Sequence, residues 1–401
     1  MAQIMPGSDL ISIILNAIAL GVGLLGTAII AFQPRSDALS GYTKALVGLL
    51  AILAIDVASS IFDLSPLARH MPQFSALGYA FWPWMPVCLW GYVNGLTRTE
   101  PSGPIAGRWH FAVAAFATLC LMPFLFLPGS DKVAIADGTF TLATIQHIIM
   151  TLGLVFFMTL WIGHMVVIAG FIARRLAAHR RRMRDLLSET SAVDLRWLDG
   201  FMLFLAVAIG TAIADNFLST ATGFELLGTV GAALTELLII AGLVLFGIRQ
   251  QRAVPHWAGE PDEEETEVQF SKGTEPRYAR SSLSAEDCAA IIARLDALMT
   301  RDEPWRDPFL NLKVLSERIA TKPYYVTQAL NTVLGRNFYD YVNGWRARAA
   351  AHLLTTTDAS VLSICEDVGF NSKSTFNSIF RKEMQATPSN YRRENRPSAT
   401  D

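Results

Sequence analysis

The sequence predicts an all-α protein in two parts: a seven-span bundle of transmembrane helices, then a cytoplasmic helical domain with two helix-turn-helix units. Three observations lead there. Of 401 residues, 52% are hydrophobic and only 17% charged, against roughly 25% charged in an average soluble protein. The charge is concentrated in the C-terminal part, so the net charge of -2 describes neither part by itself. Seven apolar runs precede residue 249, and no β-like alternation of useful length appears anywhere. A purely soluble enzyme is disfavoured from the outset.

The runs lie near residues 10–32, 41–63, 74–96, 109–128, 142–172, 198–219 and 226–248. Each is long enough to cross about 30 Å of hydrocarbon as a helix. Asp9 is the only charge before the first run, which exceeds the apolar core of a secretory signal, so it reads as a retained span. Basic residues in short loops set orientation. With the N-terminus outside, inner loops hold Arg35, Lys44, Arg98, Arg108, Arg174, Arg175, Arg180, Arg181, Arg182, Arg184 and Arg196, and outer loops only Arg69 and Lys132. The expectation is a multi-pass cytoplasmic-membrane domain over residues 1–248, in contact with lipid, with everything after it in the cytoplasm.

Residues 249–282 form the next element. Pro255, Pro261 and Pro276 punctuate an acidic run of Glu260, Asp262, Glu263, Glu264, Glu265 and Glu267, which reads as a solvated linker, with masking of a basic surface as the alternative. The four cysteines fall singly in different segments, giving neither a disulfide framework nor a metal site.

Residues 283–401 then read as a helical domain. Ser284 is a good N-cap, followed by Cys288, Ile291, Ile292, Leu295 and Leu298 at helical spacing. Over residues 310–396 twelve Lys and Arg face seven Asp and Glu, a modest footprint for a polyanion. Two segments share one plan, near 310–335 and 359–384. In LNLKVLSERIATKPYYVTQALNTVLG, Leu312, Leu315 and Ile319 line a short helix, a break follows at 320–322, and Pro323 opens a second helix with Val326, Leu330 and Val333 inward. In SVLSICEDVGFNSKSTFNSIFRK, Val361, Ile364, Cys365 and Val368 face inward, Gly369 allows the turn, and Asn371 or Ser372 caps a helix burying Phe376 and Phe380. Two helices meeting near 100° across a tight turn describe a DNA-reading unit. The amphipathic helix between them, FYDYVNGWRARAAAHLL, is about 24 Å long, enough to hold two recognition helices roughly one DNA turn apart.

The string VGFNSKSTFNSIFRKEMQATPSNYRR resembles the second half of the AraC-type DNA-binding domain. It carries a Gly-Phe turn, an aromatic in the recognition helix, a Phe-Arg-Lys step and a closing Thr-Pro-Ser-x-Tyr-Arg. LGRNFYDYVNGWRARAAAHLL is similar to the linker helix of that family. The resemblance covers about residues 283–394, and seven spans before such a domain resemble the family's membrane-embedded members. It implies double-stranded DNA as partner, base reading by Tyr324, Thr327 and Gln328 in the first unit, and by Lys373, Ser374, Asn377 and Ser378 in the second. Lys322, Arg346, Arg381, Lys382, Arg392 and Arg393 would hold phosphates, with Arg346 fixed against the domain itself as the alternative. The chain departs from the family at Ala320 and Gln385, where Gly is usual, and at Lys322, where a Ser cap is usual. The amphipathic segment from Ser284 and the modest charge suggest a homodimer on DNA.

The membrane part offers no catalytic constellation, so no enzyme is expected, and no cofactor or metal. The last span lacks a Lys for a retinal Schiff base, and His147 and His164 lie on one span about 25 Å apart with no matching partner well inside another. What remains are costly polar residues toward the outer leaflet: Asp56, His147, Asp215 and Glu236, beside the broken segment holding Trp82 and Trp84. They outline an outward-facing pocket for an unknown small-molecule or envelope signal. The expectation is a membrane-bound one-component transcription regulator; the alternative is a transporter or membrane enzyme whose tail docks a partner.

Overall fold

The computed structural model describes residues 7–32, 41–98, 107–142, 144–190, 195–249 and 283–395. The linker expected over 249–282 falls almost wholly outside them. Described residues up to 176, with 195–249, form one compact unit; residues 177–190 and 283–395 form a second. No strand occurs among the described residues. A single isolated antiparallel bridge pairs Leu187 with Asn311 inside the second unit.

The first unit contains α1 (Gly7–Phe32), α2 (Gly41–Leu64), α3 (Met85–Thr97), α4 (Arg108–Leu125), α5 (Ile145–Leu186), α6 (Arg196–Thr222) and α7 (Gly228–Arg249), with α5 ending in the second unit. Six of these are long and apolar enough to cross a membrane; α3 is not, with only 13 residues. The run near 74–96 is split because Pro83 and Pro86 remove backbone donors. Leu77–Trp84 therefore winds as a 3₁₀ helix before α3 begins. The two pieces end to end would still reach about 35 Å.

Helix α1 packs between α2 and α7. A Cβ at Gly26 would collide with Val244, so only glycine allows that approach. The unit is apolar outside, with Phe32 86% and Leu203 68% exposed, and keeps polar groups inside: Ser12, Asn16, His110 and His164 are buried.

The second unit is built from α8 (Ala285–Arg301), α9 (Leu312–Arg318), α10 (Pro323–Ala329), α11 (Phe338–Thr356), α12 (Val361–Asp367), α13 (Lys373–Met384) and α14 (Pro388–Asn395). Ser284 caps α8 in a reciprocal box with Asp287. The apolar face of α8, which motivates the dimer expectation, is instead spent in the domain core beside Leu315, Val326 and Val342. Helix α11 is the spine. Phe338, Val342, Arg346, Ala350 and Leu354 recur every four residues along its buried side. The Tyr341 hydroxyl donates to Asp296 at 2.8 Å, tying α11 to α8.

Candidate nucleic-acid interface

The two helix pairs begin with short caps that fix where each helix starts. Asn311 Oδ1 accepts from Val314 N at 3.1 Å and opens α9; Ser360 Oγ accepts from Ser363 N at 3.0 Å and opens α12. Of the two candidate caps for α13, Ser372 takes the role. Lys322 leaves α10 without a side-chain cap. The turns differ chemically. Gly369 turns the second unit at φ 85°, where a Cβ would run into the carbonyls of Arg306 and Trp305. Ala320 turns the first at φ 48°, and Gln385 ends α13 at φ 55°. A side chain in this left-handed region costs about 1–2 kcal/mol, so Ala320→Gly is expected to stabilise the domain by about 1 kcal/mol, net of unfolded-chain entropy. Urea-dependent pulse proteolysis measures it; a destabilised variant would contradict the strain argument.

On α13 the spacing separates two faces. Phe376, Ile379 and Phe380 are buried, whereas Lys373, Ser374, Asn377 and Ser378 are exposed together. Lys373, Asn377, Ser378 and Arg381 line a groove of about 560 Å3 closed by Thr387 and Pro388. On α10, Tyr324 is 59% exposed. Thr327 and Gln328 are half-buried, and the Gln328 amide oxygen is enclosed without a donor.

The cations expected to hold phosphates divide. Lys322, Arg381, Lys382 and Arg393 are exposed, with Lys382 paired to Asp340 at 2.8 Å. Arg346 is a correction: it is 0% exposed. Its Nε donates to Trp305 O and its Nη2 to Asp307 O, both at 2.7 Å, and its guanidinium lies 5.5 Å from the Phe370 ring centre. Burial pulls it down to about 10, still a cation at neutral pH. Arg392 is half-buried, its guanidinium donating to the carbonyls of Leu354 and Ala359. Both arginines bind the domain to itself. The signal was present for Arg346, which occupies the middle of the apolar stripe Phe338, Val342, Ala350, Leu354 at a spacing of four.

Residues 315–394 match the family model described as a helix-turn-helix domain. Regulatory protein SoxS of Escherichia coli K12 is 33% identical over 86 residues, which are 21% of this chain and 80% of that relative. The chain belongs to the AraC-type helix-turn-helix family. Regulatory protein PocR of Salmonella typhimurium LT2 is 33% identical over 85 residues, only 28% of its length. Among solved structures, the C-terminal domain of AraT, a response regulator from Geobacillus stearothermophilus, is 25% identical. The match covers 28% of this chain and 90% of that one, at a TM-score of 0.25. In this AraC-type chain the family-model match lies wholly within the second unit.

The polar residues of the first unit do not all converge. Trp82 Nε1 donates to Asp56 Oδ1 at 2.8 Å, between the rings of Tyr79 and Trp161, and the Glu236 carboxyl lies against Asp56 with its Oε1 buried and undonated. The other three point elsewhere. Trp84 donates to Thr118, His147 pairs with Asp131 at 3.3 Å, and Asp215 accepts from the backbone of Leu226 and Leu227 at the turn before α7. His164 has a partner that the sequence reading missed. His110 Nδ1 lies 3.1 Å from His164 Nε2, the two residues being 3% and 4% exposed.

Proposed function

We propose that this chain is a membrane-embedded, one-component transcription regulator that reads DNA through its C-terminal double helix-turn-helix domain. The observation that carries the reading is the exposed face of α13. Its donors and acceptors stand at groove-reading spacing in a domain related to known regulatory proteins. Membrane insertion is supported by six long apolar helices whose outward side chains suit lipid and whose polar groups turn inward. In this reading the 3₁₀ segment and α3 together are the seventh span, and the excess of Lys and Arg in alternate loops supports an N-terminus outside and a DNA-binding domain in the cytoplasm. Domain limits of 1–248 and 283–401, joined by the acidic linker, belong to the same reading. A second copy on DNA is proposed on the modest charge alone.

The test uses the full-length protein. Flotation should carry it with membrane vesicles after alkaline extraction. In detergent it should retard duplex DNA with an affinity that falls steeply as salt rises, because each phosphate contact releases a counterion. A chain that floats but leaves DNA unretarded at low salt would leave the docking-tail reading standing.

Asp56, Trp82 and Glu236 are proposed as the centre of the signal site, because a paired carboxylate buried between spans is a two-state element an outside ligand can bias. Glu236→Gln is expected to change reporter output in cells while DNA affinity of the purified protein stays within about twofold, less than one hydrogen bond's worth. Unchanged output at equal protein level would make the pair structural.

A further inference from the structure

We propose that residues 184–188, at the end of α5, form a latch that docks on the DNA-binding domain and holds its two helix-turn-helix units in reading register. This rests on the DNA-binding role given above. The latch belongs to the second unit, although α5 is continuous from Ile145, which belongs to the first.

The contact is built from buried polar groups. Ser188 N and Ser188 Oγ both donate to Leu310 O, at 3.2 and 2.6 Å. Ser188 O accepts from Asn343 Nδ2 at 3.1 Å and from Arg346 Nη1 at 3.4 Å, and Ser188 Oγ accepts from Arg346 Nη2 at 3.3 Å. Ser188 is 1% exposed. Leu187 bridges Asn311, Leu186 packs on the core, and the Arg184 guanidinium stands 6.0 Å from the Tyr339 ring centre.

The place it occupies matters more than its size. Leu310 and Asn311 lead directly into α9 of the first unit, and Asn343 and Arg346 lie on the spine α11. Through Phe370, Arg346 also touches the turn of the second unit. Ser188 thus fastens the entry of the first unit to the residue that meets the second. With the latch seated, α9 and α11 cannot shift independently; with it withdrawn, Leu310 O and Asn343 Nδ2 lose their partners. A displacement of α5 is then a change in DNA-reading geometry, with no need to pass through the acidic linker.

The experiment compares locked and released forms of the full-length protein in lipid nanodiscs, using the duplex that wild type enriches from a random-sequence pool. Ser188→Pro removes both donors to Leu310 and is expected to weaken binding about tenfold, the worth of one or two such bonds. Bridge partners lie close enough for a disulfide. Oxidation of the double variant Leu187→Cys/Asn311→Cys with diamide should therefore hold the latch seated and tighten binding. Reductant should reverse the gain, and since both forms lack the Asn311 cap, folding defects cancel. Equal affinity of the oxidised and reduced double variant, with the crosslink verified, overturns the latch. A wild type that enriches no duplex overturns the DNA-binding reading instead.

Discussion

Arg346→Ala is expected to destabilise the C-terminal domain by about 3–5 kcal/mol. Truncation strips donors from the carbonyls of Trp305 and Asp307 and from both oxygens of Ser188. It leaves a cavity beneath Phe370 as well. An undonated buried acceptor costs about 1–3 kcal/mol, and breaking a buried charged network reaches about 3–5 kcal/mol. Arg346→Met should recover the packing of the stem but not the bonds, falling between. Exposed Arg381→Ala should stay within about 0.5 kcal/mol of wild type. Pulse proteolysis of the C-terminal unit across a urea series measures all three in the membrane-bound protein. A stable, DNA-binding Arg346→Ala would show that the network is idle.

Lys373→Ala is expected to lower the preference for the selected duplex over random DNA by about 1–3 kcal/mol, a factor of roughly 5 to 150. Lys373 and Asn377 share the exposed face of α13 and the groove beside it. Arg393→Ala should instead weaken binding to both DNAs about equally, because a phosphate contact carries no sequence information. A competition gel shift separates these outcomes. Should Lys373→Ala lower both affinities in parallel, α13 would be gripping the backbone and the base-reading assignment would fall.

The all-α class was legible because period and length say the same thing. Long apolar runs separate from short amphipathic ones, and caps such as Ser284 and Ser372 mark starts directly. The turns of the C-terminal part need special backbone geometry, and Ala320 and Gln385 take positive φ as glycine would. The break in the third run was legible from Pro83 and Pro86, which remove backbone donors, but where the 3₁₀ segment gives way to α3 was not, since hydropathy counts side chains only. Arg346 and Arg392 turn inward for a related reason. Charge suggests surface, yet a guanidinium with enough carbonyl partners is stable inside. Ser188 carried no local signal at all, because its partners lie more than 120 residues away along the chain. The polar residues of the spans were found one by one, but which of them meet depends on helix rotation. That is why Asp56 and Trp82 share a bond while His147 turns to Asp131 on the short helix Gly129–Ala136 and Asp215 to the turn before α7.

The measurement that bears most directly on a membrane-embedded DNA reader is selection from a random-sequence duplex pool by the full-length protein in lipid nanodiscs, followed by sequencing. The account predicts an enriched motif with two specified segments about 10 base pairs apart, matching two recognition helices one turn apart. It also predicts loss of the segment read by α13 in Lys373→Ala. A pool indistinguishable from that recovered with empty nanodiscs would contradict it.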